Sequence, residues 1–215
     1  MSNNEEEVQR TEEWFANRSG LATASRYSDL LTEPRSKADK DAGELSATAM
    51  SYALDIVAEK LTGVRKEISG AALDHGNYYE PLALEEYQAR TGRGVMACGF
   101  VRHQTIATGA SPDGLVGLSG GVEVKCPFNS SIHIKNAYTK TVPKEYMAQV
   151  QGQMWCLGLE WVDFVSFDPR IESEARLSIV RVERDEAMIK TLESKVLRFN
   201  EKVEEIYQQL TKVEF

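Results

Sequence analysis

The stretch Gly109–Phe128 reads GASPDGLVGLSGGVEVKCPF. Asp113 sits in a Ser-Pro-Asp-Gly turn, eight residues follow, and then comes the short strand Val122-Glu123-Val124-Lys125-Cys126. Alternation sends Glu123 and Lys125 to one face of that strand and Val122, Val124 and Cys126 to the other. A hairpin turn at Ser119-Gly120-Gly121 folds Asp113 back beside Glu123. Two carboxylates and a lysine then share one patch, with the Val124 carbonyl as a third oxygen between the acids. Hard oxygen ligands beside an ammonium are what holding Mg2+ and activating a water next to a phosphodiester require. Two details favour that chemistry. Lysine within an apolar strand is costly without a partner, and the glycines let backbone approach a ligand closely. The same residues also describe a half-exposed strand with a surface Glu–Lys pair worth under about 1 kcal/mol.

The flanking segments predict helices and strands in a mixed order. An acidic helix is expected over 5–17, a short one through Leu31, and an exposed, mobile loop over 33–44. Met50, Leu54, Val57 and Leu61 recur at helical spacing within Ser46–Leu61. A further helix over about 76–89 tolerates Pro81 only in its first turn, which puts Glu80 at the helix start. From Gly94 the period changes to two, and strands over 95–102, 105–108, 115–116 and 122–126 form a meander. After a basic linker, Pro143 opens a helix to Leu157 that carries Tyr146, Gln149 and Gln153 on one stripe. Strands follow over 161–167 and 176–182. The last helix, 185–210, has a heptad seam of Leu192, Val196, Phe199, Val203, Ile206 and Leu210. This order predicts an α/β fold with a mixed sheet between helices, organised as one domain over 1–215.

Bulk composition narrows the chemistry. The chain has 215 residues, 42% of them hydrophobic, and 6 prolines, so it can bury a core. Three cysteines without Cys-x-x-Cys spacing argue against zinc or iron–sulfur sites and for a reducing compartment, the cytoplasm. No apolar run is long enough to span a membrane. The three histidines share no ligand spacing, and Trp14, Trp155 and Trp161 are expected in the core. A net charge of −8 disfavours nonspecific DNA binding, yet Lys125, Lys135, Lys140 and Lys144 fall in a segment free of acids.

Several strings together resemble the lambda-exonuclease-like, YqaJ-type viral recombinase family of PD-(D/E)-x-K nucleases. They are Arg18-Ser19-Gly20 with Thr23-Ala24-Ser25, Gly76 to Glu80, Ser111-Pro112-Asp113-Gly114, Glu123-Val124-Lys125-Cys126-Pro127-Phe128, Tyr146-Met147-Ala148-Gln149-Val150-Gln151, Phe167-Asp168-Pro169-Arg170 and Glu183-Arg184-Asp185-Glu186. The resemblance spans nearly the whole chain in order. It implies a PD-(D/E)-x-K restriction-endonuclease-like fold, with a central mixed sheet flanked by helices. The implied activity is Mg2+-dependent, processive 5′→3′ digestion of double-stranded DNA from 5′-phosphorylated ends. It implies a homotrimeric ring working with a phage single-strand annealing protein in the bacterial host.

At matching positions the resemblance implies the following roles: Asp113 bridges two Mg2+ ions, for which Mn2+ substitutes. Glu123 and the Val124 carbonyl complete one site, and Glu80 holds the second. Lys125 activates the water. Arg18, Ser25, Ser111 and Gln149 receive the terminal 5′-phosphate, with Gln149 alternatively orienting the water. Arg35 follows the minor groove, Leu73 wedges the end pair apart, and Tyr146, Lys135 and Lys140 contact DNA. Two other readings share these residues: an endonuclease on the same fold, and a noncatalytic clamp on DNA ends.

Overall fold

In the computed structural model, which describes residues 9, 11–66 and 69–212, the opening hairpin forms one edge of a four-stranded sheet. β4 (Gly114–Val116) and β5 (Gly120–Lys125) are antiparallel, with Gly114 opposite Val122. β5 runs parallel to β6 (Trp161–Phe167), which pairs antiparallel with β7 (Leu177–Glu183). The turn is Gly117-Leu118-Ser119, with Gly117 at φ 62°, and not the Ser119-Gly120-Gly121 expected. Gly120 instead belongs to β5, where a Cβ would lie 2.2 Å from the Trp161 ring. The glycine is there for that close approach.

The alternation of β5 decides which helix meets which face. Val122, Val124 and Cys126 pack with Val165, Phe167 and with Ala83 and Tyr87 of α5 (Ala71–Thr91). The other face, through Val162 and Phe164, meets Val150 and Met154 of α7 (Lys144–Leu157). The parallel step from β5 to β6 needs a crossover. α7 provides it, together with α6 (Ser130–Thr139). The segment read as a basic linker therefore contains a helix. Asn129 caps it by accepting from the Ser131 N–H at 3.0 Å, and its buried face is polar, with His133 and Asn136, which hid it from a search for apolar periodicity.

The expected meander is divided. β2 (Val101–Arg102) pairs antiparallel with β3 (Thr108–Ala110) in a separate three-stranded sheet. Its third member, β1 (Ala22–Thr23), runs parallel to β3 and was not expected at all. Only an isolated bridge, Met96 to Leu115, joins the long strand predicted from residue 95 to the second sheet. The turn from β3 into β4 carries Ser111, Pro112 and Asp113, so the two sheets meet within Gly109–Phe128.

Helices around α7 supply the main core. α1 (Glu12–Arg18) starts later than the expected helix, whose residues 5–8 and 10 lie outside the described ones. α2 (Tyr27–Leu30) places Tyr27 against α7. The loop expected over 33–44 contains α3 (Lys37–Ala42), capped by Ser36 and stopped by Gly43 in the left-handed region. In α4 (Ala47–Thr62) the core stripe is Ala49, Tyr52, Ala53, Ile56 and Val57, while Leu54 and Leu61 are exposed. The helix is rotated from the expected face because it packs on α8 (Glu186–Thr211) through small alanines and Tyr52, whose ring lies 5.0 Å from Phe199. The seam Leu192, Val196, Phe199 and Val203 of α8 is buried as expected, and Leu210 is exposed.

Two further expectations are corrected. Pro81 lies well inside α5, not in its first turn, so Glu80 is a mid-helix residue. The proline ring costs the Asn77 carbonyl its helical partner. Trp14 and Trp155 are buried, but Trp161 is half-buried, with the Arg181 guanidinium 3.5 Å and that of Arg93 5.5 Å from its ring centroid. Among the described residues no helix is long and apolar enough to cross a membrane.

Candidate active site

β5 and the turn before β4 bring the two acids together. The Asp113 N–H donates to the Val122 carbonyl at 3.0 Å, and Asp113 Oδ2 accepts from the Val124 N–H at 2.7 Å. Glu123 is buried on the α7 face. Its Oε1 accepts from Lys125 Nζ at 2.5 Å and from Gln149 Nε2 at 2.6 Å, and its Oε2 accepts from Gln153 Nε2 at 2.5 Å. Gln149 and Gln153 are four apart on α7, so both amides point to the same carboxylate. Gln153 was seen on the expected stripe with Tyr146 and Gln149 but given no role. Its spacing was the available signal.

Charge is concentrated here. Burial raises the Asp113 carboxyl well above its ordinary value, and the negative charges of Glu123 and Glu80 raise it further against the opposing pull of Lys125. Burial alone would lower Lys125, but Glu123 and Asp113 outweigh it, and the ammonium is held more firmly than usual. Cys126 is pushed up to about 12, first by burial and then by Glu80 and Asp113, so its thiol stays neutral. Excess buried negative charge built from hard oxygens suits a hard divalent cation. Among the described residues no three His, Cys, Asp or Glu side chains converge closely enough to hold an ion alone.

The same cavity, about 240 Å3, is lined by Glu80, Asp113, Glu123, Val124, Lys125 and Gln149, and also by Arg18, Ser25, Ser111 and Leu73. Residues from four distant parts of the chain thus line one cavity. Arg18 closes α1, and its guanidinium stacks 3.9 Å from the Trp14 ring centroid. Its Nε is buried without a hydrogen-bond partner. Burial and repulsion from Arg65 lower it to about 10, with Tyr52 and Glu59 opposing, so it stays charged at neutral pH. Ser111 Oγ accepts from the Trp14 indole N–H at 2.9 Å and donates to the Gly99 carbonyl at 2.9 Å. The tryptophan read only as core therefore positions two polar residues of the cavity. No periodic pattern marks such a contact.

Other expected contacts stand apart. Arg35 is exposed and lines no part of this cavity, and Lys135 and Lys140 lie on or just beyond α6, outside it. Tyr146 borders a neighbouring cavity, with Lys125 Nζ 5.1 Å from its ring centroid.

This fold and site define a PD-(D/E)-x-K-type nuclease architecture. Residues 13–160 match the YqaJ-like viral recombinase domain, and the chain belongs to that family. An alkaline exonuclease (LHK-Exo) from Laribacter hongkongensis is similar over 93% of this chain and 96% of its own, with a TM-score of 0.84 and 38% identity. The structure of LHK-Exo in complex with dAMP aligns with the same TM-score and 40% identity. A phage-related exonuclease from Haemophilus somnus 129PT, at 22% identity over 89% of this chain and 96% of its own, shares the fold with a TM-score of 0.73. No curated protein matches the chain. These relations support a phage-type exonuclease.

Proposed function

We propose that this chain is a Mg2+-dependent exonuclease that digests one strand of duplex DNA processively from a 5′-phosphorylated end and releases mononucleotides. One observation carries the reading: the Asp113, Glu123 and Lys125 cluster and the Arg18, Ser25 and Ser111 group line a single cavity. An end-directed nuclease needs both, one to cut and one to recognise where the strand begins. The dAMP complex of LHK-Exo supports a mononucleotide product.

Asp113, Glu123 and the Val124 carbonyl would hold one ion, and Glu80 with Asp113 a second; Mn2+ would substitute. Bound metal supplies Lewis-acid polarisation of the phosphoryl oxygens and a more acidic water. The chain does the rest. The Val124 N–H fixes Asp113 Oδ2, and Gln149 and Gln153 fix Glu123. Lys125, held as a cation, offsets charge that builds on the phosphoryl group and steers the attacking water. The Arg18 guanidinium and the Ser25 hydroxyl receive the terminal phosphate, joined by Ser111 once its O–H turns from the Gly99 carbonyl, and so set the position of the first internal bond.

The likeness to lambda exonuclease supports a homotrimeric ring, an annealing-protein partner, and work on duplex ends in the cytoplasm of a bacterial host. The deciding experiment is digestion of duplexes labelled at one end or the other. With Mg2+, label at a 5′ end should leave first as a mononucleotide, and a closed circle should stay intact. Release from 3′ ends first, or cutting of the circle, would overturn the reading.

A further inference from the structure

A second cavity, about 310 Å3, adjoins the first and shares Leu73, Asn77, Glu80, Val124 and Lys125 with it. Beyond that shared edge the walls differ. The first continues to Arg18, Ser25 and Ser111, the second to Pro127, Phe128, Ile132, Asn136 and Tyr146. Glu80 and Lys125 thus stand at the junction of a polar chamber and a largely apolar one.

The second chamber has the wrong chemistry for a phosphate. Among the described residues its one cation, Lys125, is already tied to Glu123. It suits a flat heteroaromatic ring instead. Phe128 is 55% exposed and Ile132 47%, both left to solvent at the chamber although the fold offers core elsewhere. Phe128 meets His75 edge-on at 5.4 Å, and the Tyr146 ring lies 5.5 Å from Phe164, so each ring has one packing partner beside the chamber. Asn77 and Asn136 add amides, each able to donate and to accept. Local sequence explains the layout. Phe128 leads into α6, and Ile132 and Asn136 are four apart on one face of it.

We infer that this chamber binds the base of the second nucleotide of the strand being cut, stacked on Phe128 between Ile132 and Tyr146. The inference rests on the proposed function, and connectivity assigns the base. With the terminal phosphate at Arg18 and the scissile one at Lys125, the first nucleoside spans the polar chamber. The strand then passes the Glu80–Lys125 junction into the apolar one. Stacking and side-chain amides favour a base of any identity, which suits digestion regardless of sequence. Holding that base also keeps the next nucleotide separated from its complement.

The test uses duplexes with an abasic residue second from the 5′ end or second from the 3′ end, compared with natural duplex in Mg2+. Wild-type protein should cut the first bond about tenfold more slowly when the second 5′ base is missing. Phe128→Ala, an exposed position that leaves the core untouched, should be about tenfold slower on natural duplex and show little further loss on the abasic one. A second readout is 2-aminopurine at the same position in Ca2+, whose fluorescence on binding should differ between wild type and F128A. Natural and abasic 5′ ends cut equally fast by wild type, or a full abasic penalty retained by F128A, would overturn the subsite while leaving the exonuclease intact. A penalty confined to the 3′ position would keep the subsite and overturn the 5′→3′ polarity.

Discussion

The Asp113 carboxylate is held by the main chain of Val124, accepting its N–H at 2.7 Å from across the hairpin. Glu123, the neighbour of Val124, is held instead by three side chains, Lys125, Gln149 and Gln153. One acid of the pair is thus positioned by strand geometry and the other by helix α7. Substitutions at the two should behave differently.

Asp113→Asn should abolish cutting, by at least about 10²-fold, yet stabilise the metal-free protein. The Asp113 carboxyl is raised by burial and by Glu123 and Glu80. A raised acid favours folding while protonated, and that contribution is lost as pH rises through its folded value. The asparagine removes this loss, and its Oδ1 still accepts from Val124. Melting in EDTA should show the variant's advantage over wild type growing from acidic to neutral pH. Added Mg2+ should raise the wild-type midpoint more than the variant's.

Lys125→Ala should lose about 10²- to 10³-fold in rate while still binding duplex ends in Ca2+. Glu123 keeps Gln149 and Gln153, so the fold of the site survives. Mg2+-dependent activity at the wild-type level would remove Lys125 from the chemistry.

Dephosphorylated 5′ ends should be digested more slowly than phosphorylated ones. Arg18→Gln should shrink that difference by about tenfold or more, the worth of a charge-assisted hydrogen bond. Comparing the rates on the two kinds of end, for both proteins, measures it. Equal wild-type rates would refute the phosphate pocket.

Gly152→Ala should destabilise by up to about 2 kcal/mol. Alanine would gain about 1 kcal/mol of helix propensity, but its Cβ would lie 2.5 Å from Tyr27 Cε2 and 3.1 Å from Ala24 Cβ. Tyr27 is fully buried and bonded to Thr108, so it has nowhere to move. Overpacking of this kind costs about 1–3 kcal/mol and wins. Denaturant midpoints would check the sign.

Asp168 should contribute to acid stability. Burial raises it, but bonds from Arg170 and Ser130 prevail and hold it at about 2. A depressed acid stabilises above its ordinary value of 3.8, and the contribution fades as pH falls toward about 2. Arg170→Gln should therefore move the acid-unfolding midpoint upward and cost about 2 kcal/mol at neutral pH. That is below the range for a fully buried pair, because the arginine is half exposed.

The residues that a strand or one helix arranges by itself were legible. Glu123 and Lys125 share a face because side chains alternate, and Asp113 returns beside them because a glycine turn reverses the chain. Gln149 and Gln153 share a stripe because a helix repeats every 3.6 residues. Where packing arbitrates, local pattern misled. The face of α4 was misread because two alanines, and not the leucines, meet α8. α6 was missed because it buries His133 and Asn136. Propensity favours Pro81 at a helix start, yet α5 lies against the sheet, and burial of Ala83 and Tyr87 offsets the lost bond.

By itself, then, the sequence determined the hairpin, the chemical types of its acids and lysine, and the faces they occupy, since each depends on neighbours a few residues away. Only the tertiary structure decided that Arg18, Ser25, Glu80 and Gln149 face the same cavity, and that a second chamber opens beside Lys125. The pairing of β1 with β3, the docking of α5 and the crossover of α6 and α7 set those positions. Each is a contact between segments far apart in the chain, whose geometry follows from burying apolar surface together and not from any local period.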